Sequence, residues 1–412
     1  VKKVIHTHKL TCGAVLLMEP NDAVASCSMR WLLPAGSSTD PDVRLGVSAM
    51  LEEMIFRGAG NLDSRGLSES LDRHGLERHS DVGVHHLEIA SICTGNELFA
   101  GISLISSIVR SPALPEEALD STRSLCLQAL ESLKDDPRQE AMIRLMELHR
   151  PAPMNRSGYG ERSMLEKMNQ QDIQEAWRAG FVPRGCIISL AGSFDPLATM
   201  DVFEEALSGW SGNAEPPTVL GTAAGGNLHE MRDSNQVHIG VAWNAPPRSH
   251  PDAPIERMAM RILSGTSSGR LFTEVRQKRS LCYSVGARYR PGRDQGIINL
   301  YAGTTPERAQ ETLDVCLQEF DRMAAGVTLE EFERARTGLE SAIVLGGEST
   351  QARSAALSGD YFTMGRSRSM EEVLGEVEET TLEQLNEYLE KRSLPPPTIV
   401  TFGPASLDVP TS

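Results

Sequence analysis

The sequence predicts an α+β protein made of two related domains, each with helices packed on one face of a sheet. Three observations carry this. Strand-like runs come in groups, with amphipathic helices gathered after them. A Gly-, Pro- and Ala-rich stretch, SGNAEPPTVLGTAAGGN from Ser211 to Asn227, sits near the midpoint and reads as a linker. Landmarks on either side of it repeat in the same order. Cys93-Thr-Gly95 before a helix matches Tyr301-Ala-Gly303, and Leu114-Pro-Glu-Glu117 matches Leu329-Glu-Glu331. Asp172-Ile173 matches Thr381-Leu382, and the strand ending at Gly192 matches Thr398 to Gly403. The separation between partners is nearly constant, at half the chain. The expected division is a first domain at 1–210, a linker at 211–227 and a second domain at 228–412.

Residues 10–18 and 24–33 read as strands, with Glu19-Pro-Asn-Asp22 as the turn between them. Pro34 to Pro41 is a loop. Val47, Met50, Leu51, Met54 and Ile55 then recur at helical spacing, with Glu52 and Glu53 side by side in the same helix. Ser64 to His74 reads as a second helix and Glu77 to Cys93 as one strand. On that strand the adjacent His85 and His86 would point to opposite faces, so at most one could join a site. Leu98 to His149 holds two or three helices, broken near Pro112, Pro115 and Pro137. After a loop at 150–165 come a helix near Gln170–Ala179, a buried strand Cys186–Leu190 and a helix from Pro196 to Trp210. In the second half, Leu271, Phe272 and Val275 give a helical face, and Leu281 to Ala287 a strand.

The 412 residues allow about two to four domains. A net charge of −16 argues against nucleic acid and an anionic membrane surface. Seven dispersed cysteines without a C-x-x-C pair read as buried thiols. No apolar run approaches the roughly 18 residues of a membrane span. Val1-Lys-Lys-Val-Ile-His6 lacks an apolar signal region, which makes a cytoplasmic location the default expectation.

The stretch from Gly46 to Gly58 resembles the active-site helix of the pitrilysin/insulinase/mitochondrial processing peptidase family. That helix reads G-x-x-H-x-L-E-H-M-x-F-x-G, a form of the inverted zinc motif H-x-x-E-H. Gly46, Leu51, Glu52, Met54, Phe56 and Gly58 match, whereas Ala49 and Glu53 stand where the family has histidine. The family's third ligand is a glutamate upstream of an acidic-Pro element, here Asp135-Asp-Pro137, and counting back places it at Ala129. The resemblance therefore implies a general base kept as Glu52 and a zinc site lost at Ala49, Glu53 and Ala129. Zinc needs several imidazole, thiolate or carboxylate donors, and one carboxylate does not hold it tightly. Without a metal-bound water, Glu52 has nothing to deprotonate.

A second segment, Ser267 to Val285, is similar to the family's second-domain pattern S-x-L-F-x-x-[LV]-R-x-x-x-x-L-x-Y-x-V. Leu271, Phe272, Val275, Arg276, Leu281, Tyr283 and Val285 match, and Gly269 replaces the serine. In the family the arginine and tyrosine hold the peptide backbone and stabilise the oxyanion across a chamber between the domains. The resemblance thus implies two α+β domains of the fold shared by LuxS and the processing peptidases, each a mostly antiparallel sheet. Some family members divide the work between two chains. This sequence resembles the kind that lacks zinc and supplies Arg276 and Tyr283 to a homologous zinc-bearing partner acting on a peptide. The alternative is a catalytically inactive peptide-binding or structural homologue, like the family's respiratory-complex core subunits.

Overall fold

A computed structural model describes residues 4–409. Val1, Lys2 and Lys3, part of the stretch behind the cytoplasmic expectation, lie outside the described residues. No helix among the described residues is long and apolar enough to cross a membrane.

The first half contains β1 (His6–Lys9), β2 (Val15–Pro20), β3 (Ser26–Leu33), α1 (Val47–Met54), a small hairpin of β4 (Gly58–Ala59) and β5 (Leu62–Asp63), α2 (Ser64–Arg73), β6 (Glu77–Val82) and β7 (Leu87–Thr94). Then come α3 (Leu98–Arg110), α4 (Leu119–Ser132), α5 (Pro137–His149), α6 (Arg162–Leu165), α7 (Gln170–Gly180), β8 (Ile187–Gly192) and α8 (Pro196–Ala206). The second half runs β9 (Asn227–Met231), β10 (Val237–Ala245), α9 (Ala253–Ser264), a π-helical turn Phe272–Gln277, β11 (Cys282–Arg290) and β12 (Gly296–Thr304). It closes with α10 (Ala309–Asp321), α11 (Leu329–Gly347), α12 (Thr350–Met364), α13 (Met370–Glu378), α14 (Leu382–Lys391) and β13 (Thr398–Gly403).

Two sheets follow one plan. The first is ordered β6-β7-β3-β8-β2-β1 and the second β11-β12-β10-β13-β9. Strand for strand, β6, β7, β3, β8 and β2 correspond to β11, β12, β10, β13 and β9. Among the five matched strands of each sheet one of the four neighbouring pairs is parallel, β2 with β8 and β9 with β13, and the other three are antiparallel. The helices α7 and α14 each begin with a capping box, Asn169 with Asp172 and Thr381 with Gln384. Identical topology accounts for the repetition, with one match shifted: Thr381 corresponds to the N-cap Asn169 and not to Asp172.

Two details of the strand reading are corrected. The strand expected at 10–18 starts at Val15; Leu10 to Ala14 form a turn, with Leu10 N–H donating to Ala14 O at 2.9 Å, that pairs β2 with β1. The strand expected at Glu77–Cys93 is a hairpin, because Gly83 N–H donates to His86 O at 2.9 Å and closes a turn. His85 and His86 lie in that turn and do not alternate across a strand. Both rings pack on Phe362, at 5.0 and 4.5 Å.

The chain forms two compact units, and two helices cross the contiguous division expected at 211–227. The first unit takes the chain up to Ser132, then Ala152–Gly221 and Gly346–Ser369; the second takes Leu133–Pro151, Thr222–Leu345 and the chain from Met370 on. Helix α12 therefore belongs to the first unit and α5 to the second. In the first unit Leu16, Trp31 and Ile188 point into the main core, while their neighbours Leu17, Leu32 and Ile187 pack on Leu357 of α12. Successive residues of a strand face opposite ways, so α12 covers the second face of the sheet. In the second unit α5 does the same, with Ala141 and Leu145 against Ala242, Val400 and Phe402.

A buried ion pair fastens α12. Arg353 Nε donates to Glu19 Oε1 at 3.0 Å and Arg353 Nη2 to Glu19 Oε2, with the residues 7% and 3% exposed. Ser189 Oγ also donates to Ser354 O at 2.8 Å. Arg353→Met leaves the Glu19 carboxylate buried without its cation. The expected loss at neutral pH is about 3–5 kcal/mol, read as a shift in the denaturant midpoint. Adding Glu19→Met recovers most of it; an unrecovered double variant would show that packing and not charge dominates the contact.

Candidate functional site

Helix α1 starts where it does because of Asp40. Its buried carboxylate accepts from Gly46 N–H at 2.7 Å and from Ser48 N–H and Oγ at 3.2 Å each. These satisfy donors that a helix start leaves without partners. Burial pushes the Asp40 carboxyl up to about 6, against the pull of those bonds. Gly46 has φ +96°, and a Cβ there would lie 2.9 Å from Gly160 Cα and from Leu165 Cδ2. Only glycine fits this entry. Val47, Met50, Leu51 and Met54 are buried in the core, which turns Glu52 and Glu53 to the other side.

Glu52 and Glu53 line a cavity of about 360 Å³ with Phe56, Arg57, Arg78 and Ser80. Ser80 Oγ, on β6, donates to Glu52 Oε1. Burial raises the Glu52 carboxyl above its usual range; the Ser80 bond opposes this, and the neighbouring Glu53 charge adds to it. Arg57 Nη2 stands 3.9 Å from Glu53 Oε2. Arg78 lies over the Phe56 ring, 3.8 Å from its centroid, and its charge acts on both glutamates. Two carboxylates are thus set among two guanidiniums in one polar cleft.

These residues do not fit zinc. Ala49 is half-buried against the core and Ala129 is exposed on α4; neither side chain has a lone pair. Cys126, one turn before Ala129, is buried, and burial together with the Glu53 and Glu52 charges pushes its thiol up to about 12. A thiol so raised is protonated at neutral pH and is a poor ligand. Among the described residues no group of three or more His, Cys, Asp or Glu side chains is placed to hold a metal ion.

The second constellation lies in the second unit. Arg276 sits in the π-helical turn, a geometry common at functional sites. Its guanidinium is over the Phe272 ring, 5.0 Å from the centroid. Lys278 and Arg279 both pair with Glu274, at 2.6 and 2.8 Å. Among the described residues no carboxylate pairs with Arg276, which is exposed. Tyr283 is the extra residue of a β-bulge, where the β11–β12 register shifts between Cys282 and Ser284. Bulges re-aim a side chain, and this one leaves Tyr283 46% exposed with its hydroxyl donating to Gln236 Oε1 at 2.8 Å.

Sequence reading singled out Glu52, Glu53, Arg276 and Tyr283 but not Arg78, Ser80 or Gln236. The alternation of β6 was a usable signal: Arg78 and Ser80 share one face of that strand.

The fold defines a chain of two related α+β units of the peptidase type. Residues 15–160 match the family described as Insulinase (Peptidase family M16), and residues 167–339 match the one described as Peptidase M16 inactive domain. The chain belongs to the M16 peptidase family. It is 24% identical over 382 residues to an uncharacterized zinc protease of Mycobacterium tuberculosis, covering 91% of this chain and 87% of that one. Uncharacterized zinc protease YmxG of Bacillus subtilis is 22% identical over 395 residues, covering 92% and 93%. Among solved structures, a peptidase M16 inactive domain from Pseudomonas fluorescens superposes with a TM-score of 0.88 at 19% identity, over 99% of this chain and 100% of that one. A chain of complex III2 from Candida albicans superposes with a TM-score of 0.80 at 16% identity, over 97% and 96%. At such identities these likenesses show the fold alone.

Proposed function

We propose that this chain is the non-zinc subunit of a two-chain metallopeptidase. A homologous partner carries the zinc motif, and this chain contributes Arg276 and Tyr283 to grip the peptide backbone and stabilise the oxyanion. The observation that carries this reading is the exposed Arg276 guanidinium, held on an aromatic ring with no carboxylate partner while its cationic neighbours are neutralised. An arginine kept only for stability would pair with Glu274 as they do. The Tyr283 bulge supports the same reading, since it leaves a phenol donor half exposed, with its hydroxyl on the exposed Gln236. Glu52, deprived of a metal-bound water, serves as a polar wall of its cleft and not as a base.

The test mixes the purified chain with an H-x-x-E-H-bearing homologue from the same source and follows a quenched peptide. The chain alone is expected to hold no stoichiometric zinc and to hydrolyse nothing; the mixture hydrolyses the peptide. A complex that forms but adds no activity to the zinc-bearing chain would favour the second reading, a structural or peptide-binding homologue. The paired charges around Glu52 are the observation on that side, because they neutralise the old metal cleft without giving it a new reaction.

A further inference from the structure

We propose that Tyr301 and His238 are positioning residues for Tyr283, holding its hydroxyl proton outward toward the carbonyl oxygen of a bound peptide. This rests on the reading of Tyr283 as a donor to substrate. The ladder brings the three together. His238 of β10 and Ser284 of β11 stand opposite the same residue, Gly303 of β12. A Cβ at Gly303 would lie 2.8 Å from the hydroxyl oxygens of both Tyr283 and Tyr301. The missing side chain is therefore the slot in which the two phenols meet. On the far side, His238 Nδ1 is 2.8 Å from the Tyr301 hydroxyl.

Counting protons gives this chain a direction. Each phenol has one proton, and an amide oxygen has none. Tyr283 gives its proton to Gln236 Oε1, so of the two phenols that meet at the Gly303 slot only Tyr301 has a proton left to offer the other. The Tyr301 oxygen then accepts from His238, which fixes Nδ1 as the protonated nitrogen. Burial lowers the His238 pKa and favours the neutral, single-proton ring. The Tyr301 bond also works against the rise that burial imposes on the Tyr283 phenol, as a donated hydrogen bond must. The order runs from buried to exposed: His238 and Tyr301 are 6% and 7% accessible, Tyr283 is 46% and Gln236 is exposed. Donation along such a chain polarises the last hydroxyl. Arg138, over the Tyr301 ring at 4.7 Å, and Asp136, whose charge acts on His238, are the charged groups that face it. The Gln236 carbonyl has the chemistry of a peptide carbonyl and occupies the place such a group would take.

The experiment follows the Tyr283 phenol by NMR in the full chain carrying ring-labelled tyrosine, with Tyr283→Phe assigning its signal. Tyr301→Phe removes the donated proton and is expected to raise the Tyr283 titration midpoint by about half to one pH unit. His238→Asn keeps an N–H at the Nδ1 position and leaves the midpoint near its original value; His238→Leu raises it. An unchanged midpoint in both Tyr301→Phe and His238→Leu overturns the proposal. If Tyr301→Phe does not fold, the contrast between His238→Asn and His238→Leu decides alone. A raised midpoint together with a mixed enzyme indifferent to Tyr283→Phe supports the hydrogen-bond chain and sinks the peptidase role, so the two ideas fail separately.

Discussion

Arg276→Ala lowers kcat/KM of the mixed two-chain peptidase by about 10²- to 10³-fold, the range for losing a donor aimed at a developing oxyanion. Tyr283→Phe loses a single neutral donor and falls toward the lower end of that range. The larger drop is expected in kcat, because the negative charge exists only in the transition state, with a smaller rise in KM from the lost grip on the peptide backbone. Arg276→Lys recovers part of the rate: it keeps the charge but not the planar fork of donors. The Arg276 variants are informative because no ion pair or core contact depends on that side chain among the described residues. Arg276 is exposed with its guanidinium over the Phe272 ring, so melting of the Arg276→Ala chain alone is expected to stay within about 0.5 kcal/mol of the original. Unchanged turnover in the mixture for both Arg276→Ala and Tyr283→Phe would falsify the assigned role, whatever the complex looks like.

Much of this architecture is legible in the residues. The apolar spacing of Val47, Met50, Leu51 and Met54 fixes α1 and the side on which Glu52 and Glu53 stand. Gly95 and Gly303 recur because each follows, or closes, an equivalent strand, β7 or β12. What is illegible depends on contacts remote in sequence. The runs Ile187–Gly192 and Thr398–Gly403, without a charge and apolar but for Ser189, Thr398 and Thr401, say that both faces of those strands are covered. They do not say by what, and the answer is a helix from the other half of the chain in each case. Arg353 and Glu19 illustrate the difficulty: either residue alone reads as a surface charge, and only their pairing explains their burial. The strand order hides in the same way. β2 and β3 look like a hairpin around Glu19-Pro-Asn-Asp22, yet β8 enters between them and pairs with both. Tyr301 stands out in sequence only as a repeat landmark; its place beside Tyr283 depends on the Gly303 slot and on the bulge.

Ala49→His, Glu53→His and Ala129→Glu together are expected to turn the chain from one that holds no zinc into one that binds a single ion. Residues 49 and 53 are one helical turn apart on α1, so two imidazoles there converge on one point. Residue 129 is one turn past Cys126 on α4, and the Cys126 thiol feels the charges of Glu53 and Glu52. The α4 face therefore meets α1 where the third ligand is needed. Space is not the obstacle, since Ala129 is exposed and Ala49 only half-buried. Charge is the obstacle. Arg78 and Arg57 line the same cleft, and a dication beside two guanidiniums is disfavoured at the short range and reduced dielectric of such a site. The triple variant is accordingly expected to bind weakly, and Arg78→Ala added to it to bind at least tenfold tighter. With zinc at 100 times its dissociation constant the fold gains about 2.7 kcal/mol, which a melt with and without chelator reads directly, beside metal content after gel filtration. Affinity falls with acidification as the new histidines take protons. If the fourfold variant takes up no zinc while still folding, the proposed equivalence of Ala129 to the family's third ligand is wrong, and with it the placement of a metal position between α1 and α4.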